Sequence, residues 1–284
     1  MKTLSLNELR KKPHWSFSSL NTFLNVCSLQ WAFRYMYRVE PEFTPAALLF
    51  GSVFHKALAY AYTSIKGGER AAVENVTGLF GDLLHYECRH CENEIRFGEG
   101  EGADVLRHRG GRMLRTFLAA VDSAERVLEV SLPFRVTLED AEGRTLDKPL
   151  IGEYDLLVED AGGPVIVDWK TAARRWPGTK ADTDLQPTCY LYAWQRTRGN
   201  ARTVRFRFDV VMKTKSPAVE QHITKRDADR FRRFVEIVKV VERMVQAEAF
   251  VPNDQGWACG SCPYGQACRA WHRKQARSEF ALVA

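Results

Sequence analysis

Three short runs rich in β-branched residues follow one another in the middle of the chain, and they constrain the fold more than any other feature. The runs occupy residues 127–138, 151–158 and 164–170, and turn-forming residues separate them. Apolar runs of this length between turn signals are typical of β-strands. A helix, an alternating strand and a long amphipathic helix should follow, at about 184–197, 203–212 and 227–248. This order predicts a mixed α/β core.

The two ends of the chain differ from this centre. Residues 16–38 and 48–66 have helical, aromatic-rich patterns, and residues 67–125 are helical apart from a glycine-rich loop. The tail is rich in cysteine and glycine and is too short to build its own hydrophobic core. Within one compact unit we therefore distinguish a helical region, a core and a Cys-rich tail, at residues 1–126, 127–250 and 251–284.

The composition is that of a folded protein with a mild basic excess. Hydrophobic residues make up 45% of the chain and the net charge is +6. A basic surface is compatible with a polyanionic partner, because cations that neutralise phosphates release counterions. No apolar run approaches the ~18–20 residues of a membrane span, and the first residues lack the pattern of a secretory signal. We therefore expect a cytoplasmic protein without membrane association.

Two aspartates and a lysine interrupt the apolar strands. Asp155 lies within the second strand, and Asp168 follows thirteen residues later, two residues before Lys170. Adjacent strands are ~4.8 Å apart, so a hairpin can bring the two carboxylates together. Alternation places Asp168 and Lys170 on one face. Paired carboxylates suit Mg²⁺, and a nearby ammonium group can orient a nucleophile and stabilise developing negative charge. An isolated Asp-x-Lys is usually a strand end, but the apolar setting favours the functional interpretation.

Four further pieces accompany this constellation, in a fixed order between residues 16 and 268. They are the segment 16–23 with Cys27 after it, a Gly-x-x-x-His element at Gly51 to His55, a Gln-x-x-x-Tyr element at Gln186 to Tyr190, and a cysteine cluster near the carboxyl end. Together with the aspartates and lysine they resemble the RecB/AddB-like branch of the PD-(D/E)xK nuclease superfamily, which includes CRISPR-associated RecB-like exonucleases. The resemblance implies an α/β, restriction-endonuclease-like mixed central sheet flanked by helices. It also implies an N-terminal helical segment and a C-terminal Cys-rich iron–sulfur appendage.

The resemblance implies a divalent-metal site. His55, Asp155 and Asp168 would bind one or two Mg²⁺ or Mn²⁺ ions. The backbone carbonyl of Trp169 would be an additional ligand, and Glu129 in the first strand is a further acidic candidate. Without these companions, a histidine on an apolar helix would more often be a packed or partly exposed residue.

The resemblance also implies a catalytic and substrate-contacting set. Lys170 would be the catalytic lysine. Gln186 and Tyr190 lie four residues apart and share a helix face, so they would contact the substrate or support Lys170. The rings of Trp169, Trp176 and Tyr190 could stack on unpaired bases, although buried packing is the competing interpretation.

Three cysteines, Cys259, Cys262 and Cys268, lie close together in the Gly- and Pro-rich tail. Tetrahedral zinc and a cubane cluster both take four ligands, so a fourth thiol is needed. The family resemblance implies that Cys27 is this ligand and that the group is a 4Fe–4S cluster, whereas the spacing alone leaves zinc open. The cluster would close a loop of more than 200 residues around the core.

A second thiol pair, Cys88 and Cys91, lies beside His85 and His90. The pair either binds a metal of its own or consists of free thiols on a helix, and we favour free thiols. Cys189 lies on a predicted helix and should be inert.

These observations predict a Mg²⁺- or Mn²⁺-dependent deoxyribonuclease, an exonuclease on single-stranded DNA or DNA ends, in recombination, repair or phage DNA processing. One alternative is a CRISPR-adaptation nuclease that trims spacer precursors. Another is a non-catalytic DNA-binding subunit of a helicase–nuclease complex. The chain has no Gly-x-x-x-x-Gly-Lys-Ser/Thr loop, so any helicase or recombination partner would be a separate polypeptide.

Overall fold

The computed structural model describes residues 4–122, 124–199, 204–254, 256 and 258–280. In chain order the helices are α1 (Leu6–Arg10), α2 (Phe17–Asn21), α3 (Ser28–Trp31), α4 (Ala46–Lys66), α5 (Val73–His90), α6 (Ala103–Ala119), α7 (Lys180–Thr183), α8 (Leu185–Arg198), α9 (Ala228–Gln246) and α10 (Gly265–Phe280). The strands are β1 (Thr44–Pro45), β2 (Ile95–Arg96), β3 (Arg126–Val136), β4 (Leu150–Asp160), β5 (Gly163–Ala172), β6 (Arg205–Met212) and β7 (Val219–Thr224).

A mixed five-stranded sheet in the order β3-β4-β5-β6-β7 lies at the centre. The contacts β3–β4, β4–β5 and β6–β7 are antiparallel, and β5–β6 is parallel with α8 in the crossover. The mixed α/β core is confirmed, and the predicted three strands, helix, strand and helix follow in that order, with the additional strand β7 before the last of these helices. The predicted strand 203–212 is β6, except that Thr203 lies outside the described residues.

The edge strand β7 was not predicted from the sequence. Its residues include Glu220, Gln221 and His222, and Ile223 points outward with 53% of its surface exposed. An edge strand packs little apolar surface, so its sequence lacks the apolar alternation that identified β3 to β6.

Two hydrophobic clusters cover the two faces of the sheet. One cluster joins the N-terminal segment, α8 and α9 to one face, and includes Ile166 and Phe208. The other joins α4, α5 and α6 to the opposite face, and includes Val165 and Val167. The central strand β5 is therefore buried from both sides, which explains its continuous apolar run.

The segment 16–38 is helical as predicted but is not one continuous helix. π-helical turns at Thr22–Val26 and Ala32–Met36 follow α2 and α3, and Cys27 between them has an extended backbone, with φ −170° and ψ 121°. The break turns the chain at this cysteine.

The tail packs on this N-terminal segment. The amide of Val251 donates to Oγ of Ser28 at 2.7 Å, and the amide of Gln266 donates to Oε1 of Glu42 at 2.7 Å. The two ends of the chain are thus held together by ordinary hydrogen bonds. Every helix in the described part of the chain is too short or too polar to span a bilayer.

Candidate active site

The two aspartates stand at the point where strands β4 and β5 separate. The antiparallel pairing of these strands ends at Leu156 and Val167, the residues next to Asp155 and Asp168. Beyond it, the amide of Trp169 donates to Oδ2 of Asp155 at 3.0 Å. The Asp155 side chain thus takes the place of a backbone acceptor between the two strands. Because the strands separate here, both carboxylates lie at the same point of the sheet.

Helix α4 delivers His55 to this pair. Nδ1 of His55 lies 3.2 Å from Oδ2 of Asp155. Burial lowers the pKa of His55, but the facing Asp155 carboxylate raises it by more. Burial also raises the pKa of Asp155, whereas the His55 charge, Lys170 and the Trp169 amide hold it below its usual value. Both shifts favour the ion pair over the neutral contact.

Strand β5 and helix α8 together hold Asp168. Nζ of Lys170 lies 2.5 Å from Oδ2 of Asp168, whose side chain is only 3% exposed, and Nε2 of Gln186 donates to Oδ1. Burial raises the pKa of Asp168 to about 6, although Lys170 opposes the rise. Burial lowers the pKa of Lys170, but the two aspartates raise it by more. The structure therefore brings Gln186, on the first turn of α8, directly to the acidic pair.

Tyr190 lies one helical turn after Gln186 and lines the same cleft. Its half-buried ring packs edge-on against Phe134 and Tyr154, with centroid distances of 5.4 and 5.7 Å. Packing therefore fixes the ring while its outer edge faces the cleft.

The structure selects the buried-packing interpretation of Trp169 and places the acidic candidate Glu129 outside the cleft. The ring of Trp169 is 1% exposed and stacks on Tyr62, so it cannot stack on a base. The carboxylate of Glu129 lies 2.6 Å from Nζ of Lys66, away from the residues that line the cleft. A shift in the pairing of β3 between Val127 and Glu129 places Glu129 opposite Leu157 and not near Asp155.

The site occupies the floor of a cleft of about 680 Å³. One wall comes from the N-terminal segment and the other from α4. Sequence reasoning missed Glu153, Ser131 and Arg10, which also line the cleft. Glu153 lies two residues before Asp155, so strand alternation was a usable signal. Ser131 has a φ of +50°, unusual for a residue other than glycine, and sequence gave no sign of this conformation.

The donor atoms suit a hard divalent cation. Oδ2 of Asp168, although ion-paired with Lys170, accepts no hydrogen bond of normal geometry from the described residues, and neither does Oε1 of Gln186. Buried oxygens without such partners, next to a second carboxylate and an imidazole, fit Mg²⁺ or Mn²⁺. Within the described ranges, no three His, Cys, Asp or Glu side chains already form a complete ligand set. The extra ligand predicted at the Trp169 carbonyl stays a prediction.

The four predicted cluster cysteines border a second cavity, but no three of them already form a metal-ligand set in the part of the chain that the structure describes. Cys27, Cys259, Cys262 and Cys268 line one cavity of about 190 Å³. Sγ of Cys27 accepts hydrogen bonds from the amides of Gln30 and Asn253, at 3.4 and 3.5 Å. Burial, and then the neighbouring sulfurs, raise the pKa of Cys262.

The remaining cysteines stand apart from both sites. Cys88 lies on the last turn of α5 and Cys91 follows the helix; both are half-buried and form no disulfide, and their state as free thiols stays a prediction. The imidazole of His90 is stacked on Tyr86 with a centroid distance of 4.1 Å. Cys189 is fully buried, and burial raises its pKa well above the usual range.

Comparison with solved structures bears on the fold of the chain. No curated protein sequence matches the chain. The fold resembles a crystal structure of a proposed exonuclease from Eubacterium rectale, at 12% identity and a TM-score of 0.53, over 92% of this chain and 94% of that one. The structure of SSO0001 matches at 14% identity and a TM-score of 0.35, over 84% and 91% of the two chains.

The family comparison covers nearly the whole chain. The family model of the PD-(D/E)XK nuclease superfamily matches residues 14–269, a range that contains both strands of the acidic pair, His55 and the four clustered cysteines. The chain therefore belongs to the PD-(D/E)XK nuclease superfamily.

Proposed function

We propose that this protein is a Mg²⁺- or Mn²⁺-dependent deoxyribonuclease that acts as an exonuclease on single-stranded DNA or DNA ends. The observation that carries the proposal is the convergence of Asp155, Asp168 and Lys170, with His55, on the floor of one cleft in a chain of this superfamily.

The proposed roles follow from the contacts. Asp155, Asp168 and His55 would hold the ion, which when bound withdraws electrons from a phosphate oxygen and favours deprotonation of water. Lys170 lies beside Asp168 and would orient the attacking water and stabilise charge on the phosphate. Gln186, which donates to Asp168, would fix the direction in which that carboxylate points.

The shape of the site favours an unpaired strand. The side chains of Asp155 and Asp168 are 16% and 3% exposed, so a scissile phosphate must descend between two walls. A flexible single strand or a frayed end can do this more readily than an intact duplex. The likeness to a proposed exonuclease from Eubacterium rectale fits the proposed exonuclease activity.

End-labelled oligonucleotides test the proposal. The protein should degrade single-stranded DNA with Mg²⁺ or Mn²⁺ and not with EDTA, and Lys170→Ala should lower the rate by at least about a hundredfold. Lys225→Ala, which removes an exposed lysine outside the cleft, is the matched control and should retain full activity. Normal degradation by Lys170→Ala would rule out this mechanism.

We also propose that Cys27, Cys259, Cys262 and Cys268 hold a 4Fe–4S cluster. Four thiols around one cavity supply the ligand number of a cubane, and two amides already point at Sγ of Cys27. The same set of four sulfurs could bind zinc. The hydrogen bonds between the tail and the N-terminal segment would place the thiols correctly before any cluster binds.

Metal analysis of anaerobically purified protein tests this second proposal. We expect about four iron atoms per chain and visible absorbance, as the proposed cluster requires. Cys262→Ala should lose both, and Cys88→Ala, which removes a thiol outside the cavity, should lose neither. Stoichiometric zinc without iron in the unaltered protein would contradict the proposal.

A further inference from the structure

Helix α1 lies before the region that the family model matches, yet it forms part of the active cleft. The matched region begins at residue 14, and α1 spans Leu6–Arg10. A capping box between Ser5 and Glu8 fixes the start of the helix, and Leu9, which is 8% exposed, anchors it on strands β3 and β4. This short helix is thus held by its own cap and by the sheet.

The residues after α1 hold it in register with the catalytic strand. The amide of Trp15 donates to the carbonyl of Pro149 at 2.8 Å, and the amide of Ile151 donates to the carbonyl of Trp15 at 2.8 Å. Nε1 of Trp15 donates to Oε1 of Glu242 at 2.8 Å, and the indole is 1% exposed. Strand β4, which carries Asp155, therefore fixes the position of α1 relative to the site.

Arg10 stands on the wall that α1 provides. It lines the cleft together with Ser5 and Asn7, and Lys56 lines the opposite wall on α4. Nζ of Lys56 forms an ion pair with Oε1 of Glu87 at 2.6 Å. Arg10 makes no ion pair with any residue in the ranges that the structure describes, and its side chain is exposed. Its charge opposes the rise that burial causes in the pKa of Glu153, so Arg10 faces the acidic floor of the cleft.

The acidic floor of the cleft repels a polyanionic DNA strand, so a cation on the wall would favour its binding. Glu153 joins Asp155 and Asp168 among the lining residues, so three carboxylates face an incoming polyanion. Contacts to phosphates beside the scissile one position a strand, and they are made mainly by arginine and lysine. A guanidinium can also bind a phosphate through two parallel hydrogen bonds.

We propose that Arg10 binds a backbone phosphate of the DNA strand next to the one that is cut, and that α1 thereby sets the position of the strand in the cleft. This inference rests on the proposed nuclease function. Arg10 acts on substrate binding and leaves the ion site to Asp155, Asp168 and His55.

Salt-dependent binding of a fluorescein-labelled oligothymidylate tests the proposal. Binding is measured in a Lys170→Ala background with Ca²⁺, so that the strand is held without being cut. Arg10→Ala should weaken binding on the order of tenfold at low salt. The slope of log binding constant against log salt concentration should become shallower by about the amount that one phosphate contact contributes. Arg10→Lys should retain the slope, because it keeps the charge.

Lys11→Ala is the matched control, since it removes an adjacent exposed charge that does not line the cleft. It should change the slope less than Arg10→Ala does. If Arg10→Ala in the Lys170→Ala background has the same slope and affinity as the Lys170→Ala parent, the proposed role of Arg10 is overturned and the nuclease proposal is not affected. A parent protein that binds no DNA, together with an unaltered protein that cuts none, would overturn the nuclease proposal and this inference with it.

Discussion

Nδ1 of His55 lies 3.2 Å from Oδ2 of Asp155, so a helix from the N-terminal region closes a site that the central sheet begins. The two residues are separated by the whole of α5 and α6 and by β3. The site is therefore complete only when α4 is packed on the sheet. Substitutions that loosen α4 on the sheet should impair metal binding as well as stability.

The edge contact between Trp169 and His55 should orient the imidazole. The ring centroids lie 5.9 Å apart at 89°, and Tyr62 supports the indole from the other side at 5.5 Å. We expect Trp169→Leu to weaken Mn²⁺ binding about tenfold, because the imidazole of His55 loses the ring that orients it. The substitution keeps the backbone amide that donates to Asp155, so it tests the ring alone. In a His55→Ala background the same change should have almost no effect on Mn²⁺ affinity. An undiminished effect in that background would show that the indole acts only on general packing.

The hydrogen bond from Gln186 to Asp168 should matter for both stability and activity. Gln186→Met keeps the shape of the side chain but leaves a buried carboxylate oxygen without its donor. We expect a loss of about 1–3 kcal/mol in the free energy of unfolding, measured by urea denaturation without divalent ions. The cleavage rate should fall at least tenfold. A variant with unchanged stability and rate would show that this contact is dispensable.

The pH dependence of metal binding should follow Asp168. Burial raises the pKa of this carboxyl to about 6, so a proton competes with the ion below that pH. Mn²⁺ affinity should therefore fall as the pH drops through 6, where the proton on Asp168 adds to competition from the proton on His55, whose pKa is also raised. Calorimetric titration across this range measures it. An affinity that stays constant down to pH 5 would contradict the raised pKa.

The pKa of Asp140 is shifted in the opposite direction to that of Asp168, and this shift makes stability depend on pH. Burial raises the pKa of this carboxyl, but hydrogen bonds from Arg144 and Lys239 outweigh burial and hold the pKa far below its usual value. A depressed pKa stabilises the fold above the usual value near 4, and this contribution is lost as the pH falls. Asp140→Asn should therefore lower Tm at pH 7 and should differ less from the unaltered protein at pH 3. A larger Tm difference at pH 3 would refute this assignment.

The sequence was most informative where charged residues stand within otherwise apolar strands. Asp155 and Asp168 interrupt strands that are otherwise apolar, so their strands and their meeting were predictable from alternation and strand pairing. The contact between Asp168 and Lys170 also followed from alternation. That all four cysteines line one cavity followed from the family resemblance. No local pattern connects Cys27 to residues more than 200 positions later.

Features that depend on register or on docking were not predictable. Glu129 was placed wrongly because a pairing shift in β3 cannot be read from residue types. Arg10 was missed because the docking of α1 depends on Leu9 and on the bridge from Trp15 to Leu150, which join residues far apart in sequence. The polar edge strand β7 carries too little apolar surface to be recognised.

Calorimetric titration with Mn²⁺ tests the central claim most directly, because it measures the ion site without requiring a DNA substrate. The unaltered protein should bind Mn²⁺ at neutral pH. Asp155→Asn and Asp168→Asn should each lose this binding, and His55→Ala should weaken it at least tenfold. Asp229→Asn, which changes an exposed aspartate on α9, should bind as the unaltered protein does. Undiminished binding by both Asp155→Asn and Asp168→Asn would show that the paired aspartates do not hold the ion.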